Sequence, residues 1–274
     1  RRLACRGRAQ HSARKPVMTP DWQRLFPDAD YRPAMGLLRG TAEDFWRDWD
    51  DRGTLVQERE RWLQAAPQHY TCRLPGSEQA VAEASAWMCQ FSARPEPDWV
   101  LLADPADNPK AAPQVIAGEV VFPSSWSLPE KLGLPLPAVH EPVPGLETSL
   151  GASIAVFLQK LEPGPVWLRE NWGLAADAEL NHHPARGLPS LPAQAALATT
   201  WLRLEHQCLL RLPHHRTVLF GIRVTCHQLS ALAELPGMAE RIHRALASMA
   251  EPMARYKGLH HARPALLEEL AARL

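Results

Sequence analysis

One histidine in a proline-rich segment is the strongest candidate for chemistry in this chain. Residues 122–144 contain six prolines and a single histidine, His140. Proline fixes its own φ and restricts the residue before it to extended conformations. A segment this stiff suits holding one imidazole at a fixed place and angle, as a metal ligand or a catalytic base requires. An ordinary structural histidine is the alternative, because the chain contains 12 histidines.

The second candidate is Glu205, which lies in an alternating run from Trp201 to Leu212. The alternation predicts a strand whose even-numbered side chains face the core. Glu205 on the odd face would then either point to solvent or line a ligand pocket, where a carboxylate binds an ammonium or takes a proton. The next strand leaves this open. A two-residue turn places Glu205 opposite Val224, whereas a one-residue slip brings Arg223 to the same face.

Weaker signals come from an arginine and from three pairs of adjacent histidines. Arg169 begins the segment Arg-Glu-Asn-Trp and could bind carboxylates or a bound oxidant bidentately, although a surface arginine is the default interpretation. Neighbouring side chains of an extended chain point to opposite sides. We therefore expect no shared metal at the pairs His182/His183, His214/His215 and His260/His261.

The elements that must position these residues follow an α+β order. Helical spacing predicts helices over residues 41–66, 77–91, 147–161, 238–249 and 265–274. Strands are predicted over 99–102, 115–122 and 165–172 (the last a strand or a turn), with a hairpin of 201–212 and 217–226. Within the proline segment, we expect a short helix capped by Ser127 and ended by Gly133, then an extended arm through His140. This order favours an antiparallel sheet over βαβ units.

Composition restricts the function classes. Lys and Arg total 30, as do Asp and Glu, so no net field favours nucleic acid or an anionic membrane. The five cysteines are scattered, without a Cys-x-x-Cys, and there is no apolar run near 18 residues. We therefore expect a reduced, cytoplasmic protein. Residues 1–17 are rich in arginine, and we expect a disordered segment or an upstream extension before Met18, with a mitochondrial transit segment as the alternative. Residues 18–274 are expected to form one domain.

Several common motifs are absent from the sequence. It contains no Gly-x-Gly-x-x-Gly, no Walker loop and no His-Glu-x-x-His. A Gly-x-Ser-x-Gly elbow is also missing. Nucleotide-binding, metalloprotease and hydrolase functions therefore have no motif support.

Several segments together resemble the haem-binding subunit of the haem-dependent oxidative N-demethylase family. The proline segment, with its Val-His-Glu-Pro-Val-Pro motif at residues 139–144, is the specific part of this resemblance. The matching segments are residues 122–133, 139–144, 169–172, 202–207 and 219–223. The resemblance extends over about residues 30–250.

The resemblance implies a PAS-like fold, in which an antiparallel sheet with flanking helices encloses a b-type haem. It implies that His140 is the axial ligand of the iron and that Arg169 and Glu205 belong to the haem pocket. Trp126 is a further candidate for cofactor contact, because tryptophan lines flat ligands. The implied activity is the O2-dependent oxidative removal of a methyl group from a small secondary amine such as dimethylamine, with release of formaldehyde.

The sequence also departs from what the family requires. Family members need flavin and an iron–sulfur centre for electron delivery, and this chain has ligands for neither, so a separate NADPH-dependent reductase is expected. His206, next to Glu205, either competes for iron or faces the core. Two alternatives stay open. One is a PAS-type haem or small-molecule sensor without turnover, and the other is a degenerate family member without haem.

Overall fold

The computed structural model describes residues 20–50, 52–105, 111–215 and 217–274. The predicted extension over residues 1–17 lies outside them. The described residues form an α+β structure built on one antiparallel sheet with helices on both faces. The predicted fold class is therefore confirmed at the level of an α+β antiparallel architecture.

The sheet has seven strands in the described part of the chain, in the order β1-β5-β6-β7-β3-β4-β2, and every neighbouring pair is antiparallel. The strands are β1 (Leu38–Gly40), β2 (Thr71–Arg73), β3 (Asp98–Ala103), β4 (Gln114–Glu119), β5 (Val166–Ala175), β6 (Trp201–Arg211) and β7 (Val218–Gln228). The predicted β6–β7 hairpin is confirmed and forms the centre of the sheet. The segment that sequence left as a strand or a turn is β5, a strand of ten residues beside β6.

The register of the hairpin places Glu205 opposite Val224 and Arg223 opposite His206. This is the first of the two alternatives that the sequence left open. Glu205 and Arg223 therefore lie on opposite faces of the sheet, because side chains alternate along a strand. The odd-numbered residues of β6 define one face, called here the odd face, and the even-numbered residues define the other, the even face.

Eleven α-helices occur in the described residues: α1 (Trp22–Leu25), α2 (Ala42–Trp46), α3 (Thr54–Ala65), α4 (Pro67–Tyr70), α5 (Glu78–Met88), α6 (Leu136–His140), α7 (Ala152–Lys160), α8 (Leu229–Ala233), α9 (Met238–Ser248), α10 (Glu251–Tyr256) and α11 (Arg263–Ala271). The even face is covered by α2 and α5 at one end and by α8–α11 at the other. The odd face packs against the proline segment and α7, through an apolar cluster that includes Leu128, Leu158 and Val100. The odd face is therefore the one that carries His140.

The single helix predicted over residues 41–66 is wrong, because the chain leaves the helical conformation after Trp46. The backbone amides of Trp49 and Asp50 donate to the two carboxylate oxygens of Glu96, at 2.8 and 2.9 Å. Gly53 then adopts a φ of +69° before α3 begins. A buried glutamate from a distant segment satisfies the amides that a continuous helix would have used. Helical spacing alone could not reveal this break.

The predicted extended arm through His140 is also wrong, since His140 ends the short helix α6. Pro137 lies in the first turn of α6, where its fixed φ suits a helix and its missing N–H is not needed. The predicted short helix before it is a 3₁₀ turn over Pro129–Lys131, and no side chain caps it, so the capping role of Ser127 is wrong. Gly133 ends that turn with a φ of +79°, as predicted. The helix predicted over residues 147–161 is confirmed as α7, preceded by a π-helical turn over Glu147–Gly151.

Candidate functional site

His140 lies at the wall of a cavity on the odd face of the sheet. The cavity has a volume of about 520 Å³ and lies between α6, α7 and the chain near Pro113. Apolar lining comes mainly from Leu136, Ile154 and Leu158. A volume of this size falls in the range of ligand pockets, which is roughly 300–1,000 Å³. The predicted site histidine is therefore placed beside a space that can hold a small molecule.

The environment of His140 favours the neutral imidazole. Burial lowers its pKa, and the positive charge of Arg169 lowers the pKa further. A neutral imidazole keeps a nitrogen lone pair free at neutral pH, which a metal ligand requires. Arg169 on β5 therefore lies within electrostatic range of His140, although it does not line the cavity.

Arg169 is half-buried on the odd face, opposite Gln207 of β6. Its guanidinium makes no hydrogen bond or ion pair with any described residue, and its Nε is buried without a partner. Burial lowers the pKa of Arg169, while the charge of Glu205 raises it. Orphaned buried donors are rare in proteins and call for an explanation. The default prediction of a surface arginine is therefore wrong. Arg169 is half-buried, and its Nε is free to donate a hydrogen bond.

Glu205 is buried, with a relative exposure of 9%. Its Oε2 accepts hydrogen bonds from Gln207 Nε2 at 2.8 Å and from Asn171 Nδ2 at 3.3 Å. Its Oε1 accepts no hydrogen bond from any described residue. Asn171 is exposed, so the surroundings of the carboxylate meet solvent at this edge of β5. Glu205 is therefore buried and not solvent-facing, although it does not line the cavity beside His140.

Sequence reasoning missed Lys257, which follows α10 and reaches the same group of residues. Its Nζ donates to the main-chain oxygen of Trp172 at 2.6 Å and lies 5.2 Å from the centre of the Trp172 ring. Burial and the charge of Arg169 lower the pKa of Lys257 to about 8, while the charge of Glu205 raises it. Lys257 belongs to no sequence motif. It reaches β5 only because the C-terminal helices dock there, so no pattern in the sequence signals it.

Trp126 and His206 take positions away from these groups. Trp126 is half-buried and packs against the apolar cluster around Leu128. It does not line the cavity beside His140. His206 lies on the even face, where its Nδ1 is 3.3 Å from Glu170 Oε1 and its Nε2 is 3.2 Å from Thr225 Oγ1. The side chain of His206 therefore points away from Glu205, as its core-facing alternative implied.

A buried ionic network fixes the start of the proline segment. The two carboxylate oxygens of Asp98 accept the backbone amides of Val121 and Phe122, each at 2.8 Å. Arg59 bonds to Asp98 and, at 2.9 Å, to Glu119. Burial raises the pKa of Asp98, and the charge of Arg59 lowers it. This network joins α3, β3 and β4 to the point where the chain leaves the sheet toward His140.

No group of three or more His, Cys, Asp or Glu side chains is arranged to hold a metal ion in the described part of the chain. In the same residues, no helix has both the length and the apolar character needed to cross a membrane.

Comparison with known families identifies the class of protein that this sheet and site belong to. The profile described as "Haem-dependent oxidative N-demethylase, alpha subunit-like" matches residues 95–267. The match covers more than half of the chain, including His140, Arg169, Glu205 and Lys257. The chain therefore belongs to the haem-dependent oxidative N-demethylase alpha subunit-like family. The family name points to an oxidoreductase with haem and N-demethylation chemistry.

Proposed function

We propose that this protein is the haem-binding component of an oxidative N-demethylase. Its substrate would be a small secondary amine of the dimethylamine type, and the methyl group would leave as formaldehyde with the use of O2. The observation that carries the proposal is the state of Glu205, a buried carboxylate held at Oε2 by two amides and open at Oε1. Such an oxygen is suited to binding an ammonium group.

The residues present fit a haem on three counts. His140 lies at the wall of the cavity, and burial lowers its pKa, which favours the neutral imidazole that a ligand of haem iron would need. The lining of the cavity is mainly apolar and also includes Asp104, Glu147 and Arg211. The cavity volume of about 520 Å³ suits a cofactor of this class. The unpartnered Nε of Arg169 could be satisfied by a propionate carboxylate. We therefore assign His140 to the iron and Arg169 to a propionate, with a PAS-like enclosure formed by the odd face, α6 and α7. Trp126 stays a candidate for contact with the edge of the macrocycle.

In this proposal, the protein binds and orients the amine. A bound haem would supply the oxygen chemistry, and the chain supplies positioning and electrostatics. Gln207 and Asn171 fix the plane of the Glu205 carboxylate through Oε2. The Oε1 atom then holds the substrate ammonium and takes its proton, so that the nitrogen lone pair becomes available. The exposed Asn171 marks the side from which a small amine would reach this carboxylate.

Electron delivery is assigned to a separate protein. The sequence has no Cys-x-x-Cys and no dinucleotide-binding motif. We propose that a reductase carrying flavin and an iron–sulfur centre supplies the electrons from NADPH. The oxidation and the release of formaldehyde would then depend on reconstitution with that partner. A cytoplasmic location suits such a soluble electron-transfer chain.

The absorbance spectrum of the purified protein tests the haem assignment. We expect a Soret band in the wild type, its loss in His140→Ala, and its retention in the matched control His261→Ala. His261 is exposed and lies on the even-face side of the molecule, after α10. A protein that binds no haem, or a His140→Ala variant with an unchanged spectrum, would overturn this assignment.

Formaldehyde release tests the enzymatic half of the proposal against the sensor alternative. The haem-loaded protein is incubated with dimethylamine, NADPH, air and a flavin and iron–sulfur reductase, and formaldehyde is measured. We expect release that requires all components and a spectral shift when dimethylamine is added. A Soret band without formaldehyde release would favour a haem sensor without turnover.

A further inference from the structure

The loop after β5 lies across the start of the proline segment, and the proposed function does not use it. Residues 177–187 form this loop, called here the strap. Two main-chain hydrogen bonds join it to the proline segment, from Ser125 N to His182 O and from His182 N to Pro123 O, each at 3.1 Å. The strap therefore fastens the chain at the point where it leaves the sheet toward α6.

The strap holds one residue of the proline segment in a strained conformation. Ser125 has a φ of +64°, and no other residue except glycine has a positive φ in the described part of the chain. A residue with a side chain stays in this left-handed region only where its surroundings keep it there. Arg203 of β6 adds to the hold, because its guanidinium donates to the main-chain oxygens of both Leu180 and Pro123. Opening of the strap would therefore let the start of the proline segment relax.

A buried histidine, His183, closes the other end of the strap. Its relative exposure is 6%, and its Nδ1 accepts a hydrogen bond from the backbone amide of Ala185 at 3.2 Å. This bond caps the 3₁₀ turn Pro184–Arg186. The Nε2 atom of His183 is buried and has no hydrogen-bond partner among the described residues. A ring whose Nδ1 accepts from an amide is neutral and carries its proton on Nε2. The closed strap therefore requires the uncharged form of His183.

The groups packed on His183 from α4 disfavour a second proton on its ring. The ring of His69 stacks on that of His183, with 4.9 Å between the centroids and 4° between the planes. Burial lowers the pKa of His183 and the positive charge of His69 lowers it further, whereas Glu130 raises it. Tyr70 meets the His183 ring edge-on at 5.4 Å, and its hydroxyl accepts a hydrogen bond from Asn181 Nδ2 at 2.9 Å. Two contacts with α4 thus hold the strap, and one of them is a pair of imidazoles.

The other charged groups of the strap are paired with one another. His182 Nε2 lies 2.9 Å from Asp177 Oδ1. Arg186 Nη1 lies 2.9 Å from Glu179 Oε2. Both carboxylates of the strap therefore have partners other than His183, and neither is positioned to compensate a charge on that ring.

We propose that the strap closes over the start of the proline segment while His183 is neutral and opens when His183 takes up a proton. Protonation puts a hydrogen on Nδ1, so the Ala185 amide loses its acceptor and a positive charge is placed against His69. An open strap exposes the ring to water, where it binds the proton more readily. The open form therefore gains population as the pH falls through the range in which an ordinary histidine titrates. This switch does not depend on the haem assignment.

Amide hydrogen exchange of the purified protein tests the switch. Exchange is followed by mass spectrometry at about pH 7.5 and pH 5.5, and each rate is corrected for the intrinsic rate at that pH. We expect the protection of residues 123–126 and 177–187 to fall about five- to tenfold at the lower pH, because one histidine proton separates the open form from the closed form. Residues 202–210 of β6 should keep their protection. A fall of less than about twofold in the strap, or an equal loss in β6, would overturn the proposal.

The variant His183→Asn tests the assignment to this histidine. Asparagine does not titrate, and its side-chain oxygen can accept from the Ala185 amide, since asparagine is a favoured helix cap. The protection of its strap should be the same at both pH values. His261→Asn, at an exposed histidine, is the matched control and should respond to pH as the wild type does. A wild-type response in His183→Asn would assign the switch to another group and overturn the proposal.

The titration of His183 in the unaltered protein supplies a test that needs no variant. Exchange of the histidine C2 hydrogen reports the protonation of each ring, and tandem mass spectrometry separates His183 from His182. We expect His183 to titrate below an ordinary histidine, because the closed strap excludes its second proton. Titration at or above the ordinary value would overturn the role of His183, whether or not the variant folds.

Discussion

Arg169 and Glu205 lie on adjacent strands of the odd face and interact electrostatically, yet they do not form an ion pair. The Oε2 atom of Glu205 accepts hydrogen bonds from two side-chain amides. The Nε atom of Arg169 is buried and has no hydrogen-bond partner. The charge of Glu205 nevertheless raises the pKa of Arg169, so the two groups interact through space without a hydrogen bond. Each group therefore retains capacity for a third component, an ammonium at Glu205 and a carboxylate at Arg169.

Replacing Arg169 should increase the stability of the haem-free protein but weaken its binding of haem. Arg169→Met should raise the free energy of unfolding of the haem-free protein by about 1 kcal/mol, because it removes a desolvated and unpartnered charge. The same change should weaken haem binding, measured by titration of the haem-free protein. Arg61→Met, at an exposed arginine in α3, is the control and should alter both quantities little. Destabilisation by Arg169→Met would show that the arginine has a structural role.

The open oxygen of Glu205 predicts a defect in amine binding. Glu205→Gln removes the negative charge but keeps the size of the side chain, so haem content should persist while the KM for dimethylamine rises about ten- to a hundredfold. The control is Glu170→Gln, one strand away on the even face, where the carboxylate bonds to Arg24. That variant should lose some stability and keep its KM. Unchanged kinetics in Glu205→Gln would remove the carboxylate from the proposed amine site.

The network at Asp98 predicts a large loss of stability. Asp98→Asn leaves Arg59 without its closest anionic partner and removes one acceptor from the amides of Val121 and Phe122. We expect a loss of about 3–5 kcal/mol in urea unfolding. Limited proteolysis should then cut residues 122–144 faster than in the wild type. Asp104→Asn, whose ion pair with Arg211 is partly exposed, should lose less than about 1 kcal/mol. Equal effects of the two changes would contradict the anchoring role.

The lowered pKa of Lys257 predicts a pH dependence of stability. The pKa falls from 10.5 to about 8 on folding, so between those values the unfolded chain holds a proton that the folded protein has lost. Stability contributed through Lys257 must therefore rise with pH across this range. Between pH 8 and pH 10, the free energy of unfolding of the wild type should gain about 1–2 kcal/mol relative to Lys257→Met, after allowance for solvent screening. A constant difference between the two proteins would show that Lys257 titrates normally.

Local patterns predicted the parts of the fold that local forces determine. The β6–β7 hairpin, α5, α7 and α9 follow from alternation or helical spacing, which burial of one face explains. The antiparallel α+β architecture follows from their order. The hairpin register was reduced to two alternatives, and only the observed pairing of Glu205 with Val224 separates them.

The features that could not be predicted from the sequence depend on long-range contacts. The break after α2 depends on Glu96, and the position of Lys257 depends on the C-terminal helices docking against β5. The burial of Glu205 has the same origin, because strand alternation alone does not show that other parts of the chain pack on the odd face. His140 was predicted as a site residue from its stiff surroundings, and its backbone is helical and not extended.

The two outermost strands of the sheet, β1 and β2, are each only three residues long. A second copy of the chain would find almost no continuous row of free main-chain donors and acceptors to pair with. The part of β5 that extends beyond β1 is also partly protected, because its Trp172 main-chain oxygen already accepts a hydrogen bond from Lys257. The sheet thus offers a poor template for intermolecular strand addition, and its borders guard against amyloid-like growth.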